Sequence, residues 1–158
     1  MRNRRWGRGK FVLLAALMLL AARLAHAGAE NWNDDQIKWQ PYAEGLKQAK
    51  ESKKPVCLIF YTGWCPHCAN YSKLFSDPKV VEKSKSFVMI RLDKDKNAEI
   101  SKQYSPDGEY IPRTYFLSPK GELDATLSET RPQYKYFYSE SDPNSILGGM
   151  DRALKNFE

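Results

Sequence analysis

The sequence has few of the side chains that bind metal ions. It contains three cysteines and two histidines, and His26 lies in a segment that we predict to be removed from the mature protein. A structural zinc site takes four ligands, usually from two closely spaced pairs. Cys65 and Cys68 form one pair, and His67 lies between them, badly placed to join them at one ion. Since there is no second CxxC pair and no HxxxH pair, the sequence argues against a zinc site.

No apolar run is long enough to cross a bilayer. The longest, Phe11–Ala22, has 12 residues, whereas a transmembrane helix needs about 20. It follows the basic stretch Met1–Lys10 and precedes Ala25-His26-Ala27, where small residues flank one position as at a cleavage site. This order is that of a secretory signal peptide. We predict a signal peptide over residues 1–27 and no stable membrane span after its cleavage; an uncleaved anchor is the alternative.

The rest of the chain has no surplus of either charge. Residues 1–27 hold six Lys and Arg side chains and no acidic one, and those six account for the whole formal net charge of +6. Nucleic acids and anionic membranes bind proteins through clustered positive charge. We therefore expect no nucleic-acid partner. Export would also bring the cysteines into an oxidising compartment, where disulfides persist.

Residues 28–158 contain no repeats, low-complexity segments or linkers, so we predict one domain. Short apolar runs rich in β-branched residues indicate buried strands, and apolar residues at helical spacing indicate helices. A strand–helix–strand order favours parallel pairing, and a closing hairpin adds antiparallel strands. The fold class is therefore α/β, a mixed central sheet with helices on both faces. The predicted elements are a helix over 41–52, strand 56–62, a helix over 66–75, a helix over 79–84, strand 87–93, a helix over 97–104, strands 112–118 and 122–128, and a helix over 145–157.

Cys65 and Cys68 follow directly after the predicted strand 56–62. At a strand-to-helix junction Cys65 becomes the N-cap, where free N–H groups and the positive end of the helix dipole favour a thiolate. Pro66 suits the first helical position, and His67 adds a donor that can stabilise the thiolate. Cys68, one turn later, faces inward. We expect Cys65 to be the exposed nucleophile and Cys68 the resolving thiol; an inert structural disulfide is the alternative.

Two motifs resemble those of the thioredoxin superfamily. YTGWCPHC, ending at Cys68, is similar to its active site, and CPHC is the sequence found in DsbA-type periplasmic oxidases. In YIPRTYFL, Pro112 matches the cis-proline that precedes a strand facing the cysteines in this superfamily.

The resemblance implies a thioredoxin fold and thiol–disulfide exchange. It implies that Cys65 and Cys68 are catalytic, without a dissociable cofactor, because their disulfide is the redox group. Pro112 and its neighbours Ile111 and Arg113 would position the substrate chain. Three further residues would adjust the reactivity of the cysteine pair: Trp64, Pro66 and His67.

Three further stretches resemble the anterior-gradient group of small endoplasmic-reticulum thioredoxin-domain proteins: WNDDQIKW, SPDGEYIPR and YKYFY, together spanning most of residues 28–158. Cys68 and Pro112 are 44 positions apart, which leaves no room for the helical insertion of DsbA-type enzymes. We therefore expect a minimal thioredoxin domain. The chain ends in KNFE rather than a retention signal, so we expect a bacterial periplasm first and secretion second.

The chain departs from the superfamily at Ile59. Thioredoxins and their relatives carry a buried Asp or Glu six residues before the first active-site cysteine, where it can exchange a proton with the buried thiol. Here that position is Ile59. A resolving thiol must lose its proton to act, and an apolar setting raises its pKa. We expect Cys68 to resolve slowly unless another group replaces the carboxylate.

Other residues have both a functional and a structural interpretation. Cys57 should pack beside Ile59 in the core, or form a regulatory disulfide with Cys68. Arg113 would recognise acidic substrates, or lie in solvent at the start of a strand. The aromatic stretch 134–138 would bind a partner, or cover the core.

These observations predict an exported thiol–disulfide oxidoreductase that acts on cysteine-containing exported proteins and needs a redox partner to recycle it. Oxidase, reductase and isomerase share this framework, and Pro66-His67 favours the oxidising end. The alternative is a binding protein or chaperone on a thioredoxin scaffold whose disulfide exchanges slowly.

Overall fold

The computed structural model of the chain describes residues 30–157. The predicted signal peptide, residues 1–27, lies outside the described residues. No helix among those described is long and apolar enough to span a membrane.

The chain alternates strands and helices in the predicted order, with one short strand added at the start and one predicted strand missing near the end. The elements are β1 (Trp39–Gln40), α1 (Tyr42–Ser52), β2 (Val56–Tyr61), α2 (Pro66–Lys73) with a 3₁₀ turn after it (Leu74–Ser76), α3 (Pro78–Ser84), β3 (Val88–Asp93), α4 (Ala98–Gln103), β4 (Arg113–Leu117) and α5 (Pro143–Asn156).

Three helices begin with a capping side chain that is followed by proline at the first helical position. The caps are Cys65 for α2, Asp77 for α3 and Asp142 for α5. Each side chain accepts a backbone N–H that would otherwise be unpaired, and proline has no N–H to leave free. These local signals define where the helices start, and they place Cys65 at a helix terminus.

The four strands form one mixed sheet in the order β1-β3-β2-β4. Strands β1, β3 and β2 are parallel, and β4 pairs antiparallel with β2, Ile59 lying opposite Thr114. Because side chains alternate along a strand, β2 contributes Cys57 and Ile59 to a core under α2, α3 and α5. Leu58 and Phe60 point into a second core under α1 and α4. The predicted α/β class, with helices on both faces, is confirmed.

The predicted second strand of the closing hairpin, residues 122–128, is wrong. Only one bridge, between Leu117 and Leu123, extends the sheet there. Asp124 accepts hydrogen bonds from the N–H and hydroxyl of Thr126 at 2.8 and 2.6 Å, which favours a turn over an extended chain. In addition, Thr114 of β4 donates its N–H to the carbonyl of Tyr136, so part of that edge is already occupied.

Helix α5 contains two adjacent glycines in different surroundings, which provide a matched test of the packing. A Cβ at Gly149 would lie 2.6 Å from the Tyr138 ring and 2.8 Å from that of Phe116, whereas one at Gly148 would meet Arg152 at 3.5 Å. We expect Gly149→Ala to lower the free energy of unfolding by about 1–3 kcal/mol through overpacking. Gly148→Ala should raise it by up to about 1 kcal/mol through helix propensity. Urea unfolding of both variants measures this, and equal effects would contradict the packing described.

Candidate active site

Cys65 lies at the N-terminus of α2, as predicted. Its backbone is extended (φ −86°, ψ 114°), and its Sγ accepts the backbone N–H of Cys68 at 3.2 Å. Pro66 occupies the first helical position. A cysteine held in this way has an N–H donor and the positive end of the helix directed at its sulfur.

The loop before β4 approaches the same sulfur from the opposite side. The Ile111–Pro112 peptide bond is cis, and the Cys65 thiol donates weakly to the Ile111 carbonyl oxygen at 3.9 Å. The Tyr71 and Thr114 hydroxyls are hydrogen-bonded at 2.8 Å, which connects α2 with β4 in the buried interior. The structure therefore brings together two motifs that are separated by 44 residues in the sequence.

Cys65 is less accessible than predicted, whereas Cys68 faces inward as predicted. Cys65 is only 5% exposed and Cys68 is fully buried. The expected order of exposure is confirmed, but the expectation of an openly exposed Cys65 is wrong, because the Ile111 loop approaches its sulfur. A substrate has to reach Cys65 by displacing or pairing with that loop.

Burial raises the pKa of the Cys68 thiol well above its ordinary value, and its hydrogen bond with Cys65 raises it further. Cys68 is therefore protonated at neutral pH in the reduced protein. Ile59 is fully buried and has no group that could accept this proton.

Glu30 is a carboxyl group that sequence reasoning missed. Its negative charge contributes to the raised pKa of Cys68. One oxygen, Oε2, accepts the indole N–H of Trp32 at 3.1 Å, and the other, Oε1, is buried without a hydrogen-bond partner. Burial raises the pKa of Glu30 itself above its usual range. The only sequence signal for Glu30 is its position two residues before a tryptophan. That tryptophan, Trp32, is 2% exposed in the structure.

The other residues of the CxxC motif face the surface. Trp64 is 72% exposed, and its indole N–H donates to Asp95 at 2.8 Å. The His67 ring lies 2.9 Å from a Glu140 carboxylate oxygen and packs edge-on to Phe137 at 6.0 Å. Trp64 and His67 are thus available to a partner that approaches Cys65.

The prediction that Arg113 contacts substrate, or lies in solvent, is wrong. Its side chain is fully buried and points to the sheet face opposite α2, where the guanidinium lies 5.1 Å from the Phe60 ring. It donates to the carbonyls of Tyr104 (3.3 Å) and Gly108 (2.8 Å) and to the Ser101 hydroxyl. Arg113 therefore holds the loop that leads to Ile111, and it reaches Cys65 only through that loop.

The remaining candidates divide between core and surface. Cys57 is fully buried beside Ile59, and burial raises the pKa of its thiol. All three cysteines are free thiols in the structure. In the aromatic stretch 134–138, Tyr136 and Tyr138 are buried, whereas Tyr134 is 52% exposed. The buried pair covers the core, as one interpretation predicts, and binding of a partner at the exposed Tyr134 stays a prediction.

Residues 30–157 contain no group of three or more His, Cys, Asp or Glu side chains arranged to hold a metal ion.

Known proteins resemble this chain in both sequence and structure. A thioredoxin-like family model matches residues 38–119. The human anterior gradient protein 2 homolog is 31% identical over 134 residues, which cover 84% of this chain and 75% of that protein. Anterior gradient protein 2 of Xenopus tropicalis is 30% identical over 156 residues, 91% of each chain.

Solved structures agree on the fold. A thioredoxin from Thermus thermophilus superposes with a TM-score of 0.60 at 22% identity, over 75% of this chain and 88% of that one. A DsbH oxidoreductase superposes with a TM-score of 0.56 at 19% identity, over 98% and 94% of the two chains. The expected thioredoxin fold is confirmed.

The burial of the thiols predicts the order in which they are alkylated. In the folded, reduced protein we expect iodoacetamide to modify Cys65 at least ~10-fold faster than Cys57 or Cys68, since thiolates react and burial disfavours them. Raising the pH from 7 to 9 should leave Cys57 and Cys68 unmodified, because burial raises the pKa of both thiols well above that of an ordinary cysteine. Fragmentation mass spectrometry locates the adducts, and all three thiols should react in urea. If Cys57 were alkylated as fast as Cys65, the burial described for the three thiols would be contradicted.

Proposed function

We propose, because this chain belongs to the thioredoxin-like family, that it is an exported thiol–disulfide oxidoreductase acting on cysteine-containing proteins. The observation that carries the proposal is the position of the Cys65 sulfur, between the Cys68 N–H at 3.2 Å and the Ile111 carbonyl at 3.9 Å. A sulfur placed at a helix terminus and beside an extended loop can attack a disulfide while the substrate backbone lies against that loop.

The reaction that fits this geometry has two exchanges. In the oxidising direction a substrate thiolate attacks Cys65 of the Cys65–Cys68 disulfide, forms a mixed disulfide and releases Cys68 as a thiolate that takes up a proton. A second substrate thiolate then attacks the substrate sulfur, closes the substrate disulfide and releases Cys65. Two electrons and two protons pass from substrate to protein. The reverse sequence reduces a substrate.

The residues around the pair have distinct roles in this proposal. Pro66 starts the helix whose dipole stabilises Cys65, and Ile111 and Pro112 present backbone to the substrate. His67 and Trp64 form the surface that a substrate first meets. Because the two sulfurs carry the electrons, the proposal needs no dissociable cofactor, but it needs a separate redox partner that restores the pair.

Glu30 is our candidate for the group that accepts the Cys68 proton, because the Ile59 side chain cannot accept one. Its unpaired buried oxygen and its effect on the pKa of Cys68 support this role. A half-buried carboxyl group with a raised pKa can take the Cys68 proton when that thiol attacks, and return it when Cys68 leaves.

Export is part of the proposal and is supported by the order of charges and apolar residues in residues 1–27. An oxidising compartment, with a bacterial periplasm as first choice and secretion as second, would keep the pair oxidised and supply substrates with free thiols.

The reduction potential of the pair tests the proposed function. Equilibration with glutathione buffers should give a value closer to about −120 mV than to about −270 mV, which are the values of a strong disulfide donor and of a thioredoxin. Cys65→Ser should abolish exchange, whereas Cys57→Ser should leave the potential unchanged. A reduction potential near about −270 mV would make the protein a reductase. No equilibration at all would instead favour a binding protein on the same scaffold.

The role of Glu30 can be tested separately in single-turnover reactions of the reduced protein with a disulfide peptide. Glu30→Gln should leave attack by Cys65 unchanged and slow release by Cys68 by about 100-fold, at the lower end of a general base's contribution. The release rate of the wild type should fall as the pH drops through the raised pKa of Glu30, and the variant should lack that inflection. Glu44→Gln, an exposed change on α1, is the control. Identical pH profiles would remove Glu30 from the mechanism.

A further inference from the structure

A groove of about 380 Å³ begins beside the reactive pair. The loop before β4 contributes Tyr110 and Ile111, helix α2 contributes His67, and the segment between β4 and α5 contributes Arg131, Tyr134 and Phe137. Its volume lies within the range of sites that bind small ligands or side chains. Since the Ile111 carbonyl is 3.9 Å from the Cys65 sulfur, a chain bound in the groove would continue directly onto the nucleophile.

The aromatic walls of the groove are held by hydrogen bonds. The Tyr110 and Tyr134 rings meet edge-to-face with their centres 4.9 Å apart. The Tyr110 hydroxyl donates to Asp107 at 2.7 Å and accepts the N–H of Tyr136 at 2.9 Å. The same Asp107 oxygen accepts the N–H of Lys135 at 2.7 Å. The groove is thus largely preformed, which lowers the entropic cost of binding.

Tyr134 is exposed in an uncommon conformation. Its φ of 55° lies in the left-handed region, which residues other than glycine seldom adopt. The backbone carbonyl of Tyr134 accepts the N–H of Phe137 at 3.0 Å, which closes a tight turn around it. An exposed aromatic ring held in a rigid turn is typical of a surface that contacts another molecule.

The groove lining carries one permanent charge, the Arg131 guanidinium. Among the described residues that line it none is acidic, and Arg131 lies with its guanidinium 5.9 Å from the Phe137 ring. The ion pairs found within residues 30–157 leave Arg131 out. By contrast, Arg91 forms an ion pair with Asp34, and Arg152 forms one with Glu129. Arg131 is therefore a cation without a carboxylate partner, placed over an aromatic ring at the edge of an apolar groove.

We infer that this groove selects substrates: it receives an extended segment in which the residues next to the reacting cysteine are one large apolar side chain and one acidic side chain. The apolar side chain lies between the Tyr110, Tyr134 and Phe137 rings, and the carboxylate pairs with Arg131. Glu140 contacts the His67 ring at 2.9 Å, and no ion pair joins it to Arg131 within residues 30–157. This inference rests on the proposed function and assigns it a substrate class.

Dithiol peptides test the inference. The oxidised protein is mixed with reduced peptides that carry tyrosine and one variable residue, glutamate, glutamine or lysine, beside the first cysteine. Acid quenching and mass spectrometry give the rate at which each peptide disulfide forms and the Cys65–Cys68 pair is reduced. Dithiothreitol, an uncharged dithiol, measures exchange that does not use the groove. If it does not reduce the pair, the proposed function itself fails.

We expect the glutamate peptide to react about three- to fivefold faster than the lysine peptide at low salt, as for a partly exposed ion pair. Arg131→Gln should remove that ratio, and Lys135→Gln, an exposed change of the same charge outside the groove lining, should preserve it. Comparing one peptide pair across variants cancels the peptides' own thiol reactivities. Tyr134→Ala should slow all three peptides alike, each rate being taken relative to the dithiothreitol rate of the same variant. A ratio that persists in Arg131→Gln would overturn the inference.

Discussion

The burial of strand β2 on both faces is the constraint on which the rest of the structure depends. Its residues Val56–Phe60 are fully buried, so helices must cover both sides of the sheet. The strand can then leave the core only at its end, where Cys65 begins α2. Because β4 pairs antiparallel with β2, the loop that precedes β4 lies at the same end. The meeting of Cys65 with Ile111 follows from this pairing.

The interior of the domain contains two ionisable groups that differ in charge, the Arg113 guanidinium and the Cys68 thiol. Arg113 has no carboxylate partner among its hydrogen-bonding groups, and its charge is solvated instead by two carbonyls, a hydroxyl and an aromatic face. Cys68, on the opposite side of the sheet, is kept neutral by its own burial, which raises the pKa of its thiol. Burial costs an unpaired charge far more than a neutral thiol. The domain therefore keeps its permanent buried cation in a loop-supporting role, where carbonyl and hydroxyl oxygens surround it.

Sequence reasoning succeeded where a local pattern has one physical meaning. Continuous apolar runs predicted β2 and β3, and cysteine followed by proline predicted the start of α2, since capping depends on neighbouring residues. It failed for residues 122–128, which were predicted as the second strand of a closing hairpin, because the side chain of Asp124 bonds locally to Thr126. It also failed for Arg113, because a charged residue at a strand start is usually exposed. Only the surrounding carbonyls show that this guanidinium can be solvated inside the protein.

The sequence by itself determined the fold class, the reactive pair and the identity of its helix cap, because each of these depends on residues close together in the chain. The tertiary structure decided which distant groups surround the pair. Glu30, the Ile111 carbonyl and the groove between Tyr110 and Tyr134 come from separate parts of the chain, and no spacing rule relates them. Their distances from Cys65 and from one another are set by how the sheet and its loops pack, which is a property of the whole domain.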